Sequence, residues 1–291
     1  MYGPTHLPKG EKLRKVTVPE IRDRKSNGPS IAMVTAYDFT MARLLDEAGV
    51  DIVLVGDSLG MVVQGLPNTL PVTVDELCYH GRAVARGLAR AHIVGDMPFM
   101  SFQVSAAQAI ENAGKMMKEG AFESIKIEGG IEVADRVAQM VSIGIPVMGH
   151  VGLVPQRVHA FGGFRVQGKT DEAADRIVDD AVALEQAGVY AIVLEAMPAE
   201  VASRVTRAVS VPTIGIGAGR GCDGQVLVCT DLVGMWRGHA PRFVKHFAEV
   251  GDAIVSATQA FIDEVRSGTF PDKDHEYAAA PAAVVRRTAS E

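Results

Sequence analysis

The fold of this chain is decided by one stretch, Val53-Leu54-Val55-Gly56-Asp57-Ser58-Leu59-Gly60-Met61. It is a run of apolar, mostly β-branched residues that ends in a carboxylate, a hydroxyl group and glycines. Buried parallel strands have this form, because they are covered on both faces and become polar where they leave the sheet. The same form recurs in Ile93-Val94-Gly95-Asp96, Ser124-Ile125-Lys126-Ile127-Glu128 and Ala191-Ile192-Val193-Leu194-Glu195. Four predicted strands therefore each bring an acidic residue to the carboxyl end.

Such strands alternate with helical segments along the chain. Eight strands are predicted in all, and helix limits are marked by capping boxes such as Thr73-x-x-Glu76 and by glycines such as Gly49. Alternating strands and helices predict a parallel sheet, and eight such units in about 250 residues favour a single closed (β/α)8 TIM barrel. An open doubly wound sheet stays possible. No GxGxxG joins a strand to a helix, so a dinucleotide-binding fold has no support.

Three parts of the chain are predicted. Residues 1–30 form an N-terminal extension with one short helix, residues 31–270 form the barrel, and residues 271–291 form a disordered tail. Inside the barrel domain, Val154 to Lys169 is predicted to be a glycine-rich loop, and Phe243 to Val265 is predicted to be one or two helices.

Composition excludes several classes of protein. The chain has 291 residues, 47% of them hydrophobic and 22% charged, which is typical of a globular protein. A net charge of −6 without a basic cluster argues against a nucleic-acid partner. No apolar run reaches the roughly 20 residues that span a bilayer. The three cysteines lie outside any CxxC motif, which fits a reducing compartment. A soluble cytoplasmic protein is expected.

The strand ends are where a barrel of this kind does its chemistry. Side chains alternate along a strand, so Lys126 and Glu128 are predicted to face the barrel interior while Ile127 faces the helices. The same alternation predicts that Val55 lines the interior with Asp57. Carboxylates crowded at one mouth repel each other and need positive charge.

Two sources could supply that charge, Lys126 and a divalent cation. A set of oxygen ligands from Asp57, Asp96 and Glu128 suits Mg²⁺ better than Zn²⁺. Each residue also has a structural explanation. A strand-end Asp can cap a helix, Lys126 and Glu128 can form a structural ion pair, and His150 can hold a loop as well as touch a substrate. Four acids in one topological position favour a site.

The motifs around these residues resemble the ketopantoate hydroxymethyltransferase family. The resemblance covers Ile31 to Pro271 in order, and its motifs are the following: Val55-Gly56-Asp57-Ser58-Leu59-Gly60-Met61, Thr69-Leu70-Pro71-Val72-Thr73, Asp96-x-Pro98-Phe99-Met100, Lys126-Ile127-Glu128-Gly129-Gly130, Gly149-His150-x-Gly152-Leu153-x-Pro155-Gln156, Phe161-Gly162-Gly163, Val166-Gln167-Gly168, Leu194-Glu195 and Ile214-Gly215-Ile216-Gly217-Ala218-Gly219.

The resemblance implies a barrel of the phosphoenolpyruvate/pyruvate type. It implies transfer of a hydroxymethyl group from 5,10-methylenetetrahydrofolate to 3-methyl-2-oxobutanoate, giving 2-dehydropantoate for pantothenate and coenzyme A biosynthesis. The implied residues are Asp57 and Asp96 as Mg²⁺ ligands that also hold the oxoacid, with Glu128 close by, Ser58 and Lys126 as further oxoacid contacts, and Glu195 as general base. A homo-oligomer, a decamer in this family, is also implied.

The chemistry of the reaction fits these residue types. A 2-oxo acid can chelate Mg²⁺ through its ketone and carboxylate oxygens, which stabilises the enolate formed when the C3 proton leaves. The sequence has no separate folate signature. The loops Met61–Pro71 and Val154–Lys169 are the candidates for binding folate or for a lid.

Three other functions stay open. The first is another metal-dependent carbon–carbon lyase of the same barrel type acting on a 2-oxo acid. Such enzymes use a cysteine in a flexible loop, whereas Cys78 is predicted on a helix and Cys222 lacks such a motif. The second is a Schiff-base aldolase that uses Lys126. The third is an inactive barrel that serves as a binding subunit.

Overall fold

The computed structural model describes residues 14–238 and 240–277. Its strands are β1 (Ile31–Thr35), β2 (Ile52–Val55), β3 (His92–Asp96), β4 (Ser124–Glu128), β5 (Val147–Gly152), β6 (Ala191–Glu195), β7 (Thr213–Ile216) and β8 (Gly224–Leu227). They pair in chain order as a closed barrel, and all pairs, including β1 with β8, are parallel. The predicted (β/α)8 barrel is confirmed, and the open sheet is excluded.

The α-helices lie between and around these strands. They are α1 (Val18–Asn27), α2 (Phe39–Ala48), α3 (Leu59–Val62), α4 (Val74–Gly87), α5 (Ala106–Gly120), α6 (Ala134–Ser142), α7 (Val158–Phe161), α8 (Asp171–Gln186), α9 (Ala199–Ala208), α10 (Cys229–Leu232) and α11 (Val250–Ser267). Short 3₁₀ turns occur at Ile131–Val133, Pro155–Arg157 and Lys273–His275. In the described part of the chain no helix is long and apolar enough to cross a bilayer.

Three local predictions are wrong. The segment predicted as a loop after β5 contains the turn Pro155–Arg157 and the single-turn helix α7. The helix predicted from Phe243 begins only at Val250. The loop predicted after β2 begins with α3, which the two glycines in this stretch concealed. Of the predicted tail, residues 271–277 contain one 3₁₀ turn, and the remainder lies outside the described residues.

Alternation along the strands creates two separate apolar layers. Leu54, Val94 and Val193 belong to the cluster inside the barrel, and Ile127 belongs to the cluster between strands and helices. The predicted interior position of Val55 is wrong, because it packs in the outer cluster. β2 ends at Val55, so Asp57 lies in a turn, where strand alternation no longer determines which way a side chain points.

The amino-terminal end of the barrel is closed by α1. Ile21 of this helix is fully buried in the interior cluster. Arg24 lies 2.9 Å from Asp51, just before β2, and Lys25 lies 2.8 Å from Asp223, just before β8. Burial raises the pKa of Asp51, but the Ala32 N–H and the guanidinium groups beside it outweigh that effect and lower it. The helix predicted in the N-terminal extension is therefore a plug of the barrel.

A buried histidine lies at the same end. His92 is 3% exposed, and its Nε2 lies 2.8 Å from the Ser124 hydroxyl, which in turn lies 2.8 Å from the Tyr190 hydroxyl. Burial lowers the pKa of His92 to about 4, although the nearby Glu123 carboxylate acts in the opposite direction.

We expect this histidine to make folding pH-dependent. The unfolded state takes up a proton near pH 6.5, whereas the folded state resists it until about pH 4. The contribution of His92 is therefore fully present above pH 6.5 and is lost as the pH falls from 6.5 to 4. This contribution to the free energy of unfolding is about 3 kcal/mol. Urea unfolding at fixed protein concentration should show this loss in the wild type and not in His92→Asn. The exposed His159→Asn should behave like the wild type; equal pH slopes for all three proteins would contradict the expectation.

Candidate active site

Three acidic side chains meet at the carboxyl end of the barrel. Asp57 follows β2, Asp96 is the last residue of β3, and Glu128 is the last residue of β4. Each offers a carboxylate oxygen, and these oxygens lie within 4.8 Å of one another. The three residues are only 3%, 2% and 5% exposed. Such close, buried like charges are costly unless positive charge joins them.

Lys126 supplies one positive charge. Its Nζ lies 2.9 Å from Asp96 Oδ1 and 3.8 Å from Glu128 Oε1. Burial opposes the charged form of the lysine, but the carboxylates of Asp96, Glu128 and Asp57 outweigh it and raise its pKa. The raised pKa favours the ammonium form of Lys126, which disfavours its use as a nucleophilic amine.

One lysine does not neutralise three acids. Burial, followed by the charges of Asp96 and Glu128, raises the pKa of Asp57 well above its usual range, and burial also raises that of Asp96. The pKa of Glu128 is lowered, because hydrogen bonding to His150 and the charge of Lys126 outweigh its burial. A divalent cation among the three carboxylates would relieve this repulsion. Their oxygen donors and their spacing fit Mg²⁺.

His150 connects this cluster to Glu195. Its Nδ1 lies 3.1 Å from Lys126 Nζ, and its Nε2 lies 3.1 Å from Glu195 Oε2. Nδ1 also lies 3.5 Å from Glu128 Oε1. Burial and the Lys126 charge oppose protonation of the ring, but its contacts with Glu128 and Glu195 outweigh them and raise the pKa of His150. The Glu195 side chain is 18% exposed, compared with 3–4% for those of Asp96, Lys126 and Glu128.

Ser58 lies next to Asp57 and is held from β1. Its hydroxyl is 2.8 Å from the hydroxyl of Tyr37, a buried residue that follows this strand. Burial raises the pKa of Tyr37, so its hydroxyl keeps its proton at neutral pH. The backbone carbonyl of Tyr37 lies 2.6 Å from His80 Nδ1.

A cavity of about 250 Å³ reaches the cluster from the side. It is lined by Phe99, Phe102, Gln103, Glu128, Glu132, Val133, Arg136, Val154, Gln156 and Arg157. Val154, Gln156 and Arg157 belong to the segment Val154–Lys169, which is predicted to bind folate or to form a lid. This segment therefore borders the acidic cluster.

The predicted residues thus come together in two groups. Asp57, Asp96, Lys126 and Glu128 are in direct proximity, and Glu195 joins them through His150. The sequence left His150 undecided and gave no role to Tyr37 or Gln156. A polar residue at the end of a strand was the available signal for His150 and Tyr37. The contacts of Gln156 depend on tertiary structure alone.

The chain is similar to known proteins along nearly its whole length. The family described as ketopantoate hydroxymethyltransferase matches residues 15–273. A protein of Syntrophus aciditrophicus (strain SB) named 3-methyl-2-oxobutanoate hydroxymethyltransferase is 52% identical over 266 residues, which cover 91% of this chain and 98% of that protein. A protein of the same name from Anaeromyxobacter sp. (strain Fw109-5) is 54% identical over 268 residues, covering 91% and 88%.

Solved structures with similar folds are more distant in sequence. Phosphonopyruvate hydrolase superposes with a TM-score of 0.59 at 13% identity, covering 92% of each chain. 2,3-Dimethylmalate lyase, described as a member of the PEP mutase/isocitrate lyase superfamily, has a TM-score of 0.55 at 16% identity, covering 90% of this chain and 91% of that one. At these identities the likeness establishes the barrel type alone.

Proposed function

The chain belongs to the ketopantoate hydroxymethyltransferase family and is an enzyme, and from this we propose that it transfers a hydroxymethyl group from 5,10-methylenetetrahydrofolate to 3-methyl-2-oxobutanoate, forming 2-dehydropantoate. The observation that carries the proposal is the buried cluster of Asp57, Asp96, Glu128 and Lys126, with Glu195 at its edge. It offers groups to hold a small anionic 2-oxo acid and a base to remove its proton.

Asp57, Asp96 and Glu128 would hold Mg²⁺. When bound there, the ion would polarise the ketone of the oxoacid and stabilise the enolate. The Lys126 ammonium contributes a fixed positive charge for the substrate carboxylate and for the charge that develops during proton removal. Ser58 donates or accepts a hydrogen bond at the same end, with its hydroxyl fixed by Tyr37.

Glu195 is the base in this proposal. It is the most exposed carboxylate of the group and lies on β6, away from the three candidate ligands. A proton that it accepts from C3 can therefore pass to solvent, whereas the ligand carboxylates are committed to the cation. One carboxylate oxygen of Glu195 lies 3.1 Å from His150 Nε2, and the other is left for the substrate.

The alternative of a carbon–carbon lyase has less support. The relatives at about 50% identity are named hydroxymethyltransferases. 2,3-Dimethylmalate lyase, in contrast, is similar to this chain only in its fold. Cys78 lies buried in α4, and Cys222 lies between β7 and β8. The raised pKa of Lys126 also argues against Schiff-base chemistry.

An assay of the purified protein tests the proposal. We expect 3-methyl-2-oxobutanoate and methylenetetrahydrofolate together to yield 2-dehydropantoate, and either substrate alone to yield none. Pyruvate in place of the branched oxoacid is the control for substrate class. Cleavage of a C–C bond in a 2-methylmalate-type acid, with no transfer product, would establish the lyase instead.

We expect Lys126→Met to weaken oxoacid binding. The variant keeps most of the side-chain volume but removes the charge that faces Asp96 and Glu128, so it should also lose stability. Calorimetric titration with the oxoacid should give a dissociation constant about tenfold higher or more, which corresponds to the loss of one charged hydrogen bond. An unchanged constant in the folded variant would remove Lys126 from the substrate site.

Association with further copies of the chain is also part of the proposal. In α11 only Gly251 is buried, while Ile254, Phe261 and Val265 are about half exposed. An 18-residue helix with an open apolar side supports a homo-oligomer, and a decamer is the form expected from the family. Light scattering gives the number of copies. The three free cysteines support a reducing, cytoplasmic location.

A further inference from the structure

Gln156 occupies an unusual position among the loops at the barrel mouth. It is the middle residue of the turn Pro155–Arg157 that follows β5, and it is 6% exposed. Its side chain reaches back across the mouth toward the loops after β2 and β3. From its place after β5, this one residue therefore contacts the loops after β2 and β3 and the last residue of β4.

Every polar atom of its side chain is used. Nε2 donates to Asp57 Oδ2 at 3.0 Å and to the Met97 carbonyl at 2.9 Å, and Oε1 accepts from Gln103 Nε2 at 3.1 Å. The backbone N–H of Gln156 donates to Glu128 Oε2 at 3.1 Å. These partners fix the orientation of the amide. If it were flipped, its oxygen would face the Asp57 carboxylate and the Met97 carbonyl, which accept hydrogen bonds and do not donate them.

We propose that Gln156 is a positioning residue, which holds Asp57 and Glu128 in the orientation that binds the divalent cation. This inference rests on the proposed metal-dependent function. Gln156 fixes one oxygen of each carboxylate and so restricts the rotation of both side chains before a cation binds. The cation then loses less free energy in ordering them. Partners of ligand groups commonly change metal affinity by about 10- to 100-fold.

A neutral amide suits this task better than a charged group. Three carboxylates (−3) and the Lys126 ammonium (+1) give a formal charge of −2, which a divalent cation balances. A lysine or arginine in place of Gln156 would compete with the cation for Asp57. A carboxylate there would add a buried charge next to two others. The amide donates hydrogen bonds without changing the balance.

The test is the affinity for Mn²⁺, followed by electron paramagnetic resonance of the free ion. Gln156→Met keeps the volume and the backbone N–H but removes all the side-chain hydrogen bonds. We expect its dissociation constant to rise by about 10- to 100-fold. In assays, the metal concentration for half-maximal activity should rise in parallel, while kcat at saturating metal stays within about threefold. Gln139→Met, the same change at an exposed position on α6, should bind as the wild type does.

The outcomes separate the two proposals. If the wild type itself binds no Mn²⁺, the metal-dependent function fails. If the wild type binds and a folded Gln156→Met binds equally well, or loses kcat with unchanged affinity, the positioning role is overturned. Should Gln156→Met not fold, Gln103→Met removes the hydrogen bond to Gln156 Oε1, together with a longer one of 3.3 Å that Gln103 accepts from the Phe102 N–H. It must then weaken binding by about threefold or more, and an unchanged affinity there also overturns the proposal.

Discussion

Glu195→Gln should lose about 10²-fold or more in the exchange of the substrate C3 proton with deuterated water. The amide keeps the shape of the side chain beside His150, whose Nε2 lies 3.1 Å from Glu195 Oε2, but it cannot take up a proton. Oxoacid and metal should therefore still bind. Exchange is followed by NMR without folate, so proton removal is measured apart from one-carbon transfer.

The matched control is Glu200→Gln, which makes the same change at an exposed acid in the first turn of α9. It should exchange at the wild-type rate. A Glu195→Gln protein that exchanges normally but forms no product would assign Glu195 to the folate step. The base would then have to be another group.

Asp57→Asn should separate stability from function. The buried carboxylate is crowded by Asp96 and Glu128, and its pKa is raised well above that of an unfolded chain. At neutral pH its negative charge therefore opposes folding, and the neutral amide should raise the stability of the metal-free protein. The same change removes a proposed metal ligand, so Mn²⁺ affinity should fall by about 100-fold or more, which exceeds the effect of residues that only contact a ligand.

Thermal unfolding with and without Mg²⁺ measures both effects. The wild type should be stabilised by the ion, and chelation should abolish its activity reversibly. Without Mg²⁺, Asp57→Asn should unfold at a higher temperature than the wild type. Addition of Mg²⁺ should raise its unfolding temperature only a little. Asp38→Asn is the control, because Asp38 also follows a strand but is exposed and caps α2, which asparagine does equally well. A metal-free Asp57→Asn that is less stable than the wild type would contradict this explanation of the site.

Much of this site could be predicted because it lies where secondary structure ends. The limits of β3 and β4 agree with prediction, since each strand is a short apolar run closed by an acid. Lys126 and Glu128 face inward as alternation requires. Asp57 reaches the same place by a turn, which the pattern did not contain.

What could not be predicted depends on contacts between distant residues. His150 stands 45 residues before Glu195, and their 3.1 Å contact follows from the pairing of β5 with β6. Gln156 reaches Asp57 across 99 residues of sequence. The start of α11 at Val250 was missed because Phe243 and Phe247 gave an apolar pattern to a segment that is not helical.

The plug formed by α1 has a consequence for the order in which the chain acquires its structure. Lys25 meets Asp223, 198 residues away, and Arg24 meets Asp51. The helix is synthesised before any of the eight strands, yet the site that it packs into is complete only after β8 has paired with β1. Closing so long a loop costs entropy before any contact repays it. We therefore expect α1 to dock late in folding, after β8 has been synthesised and has paired with β1.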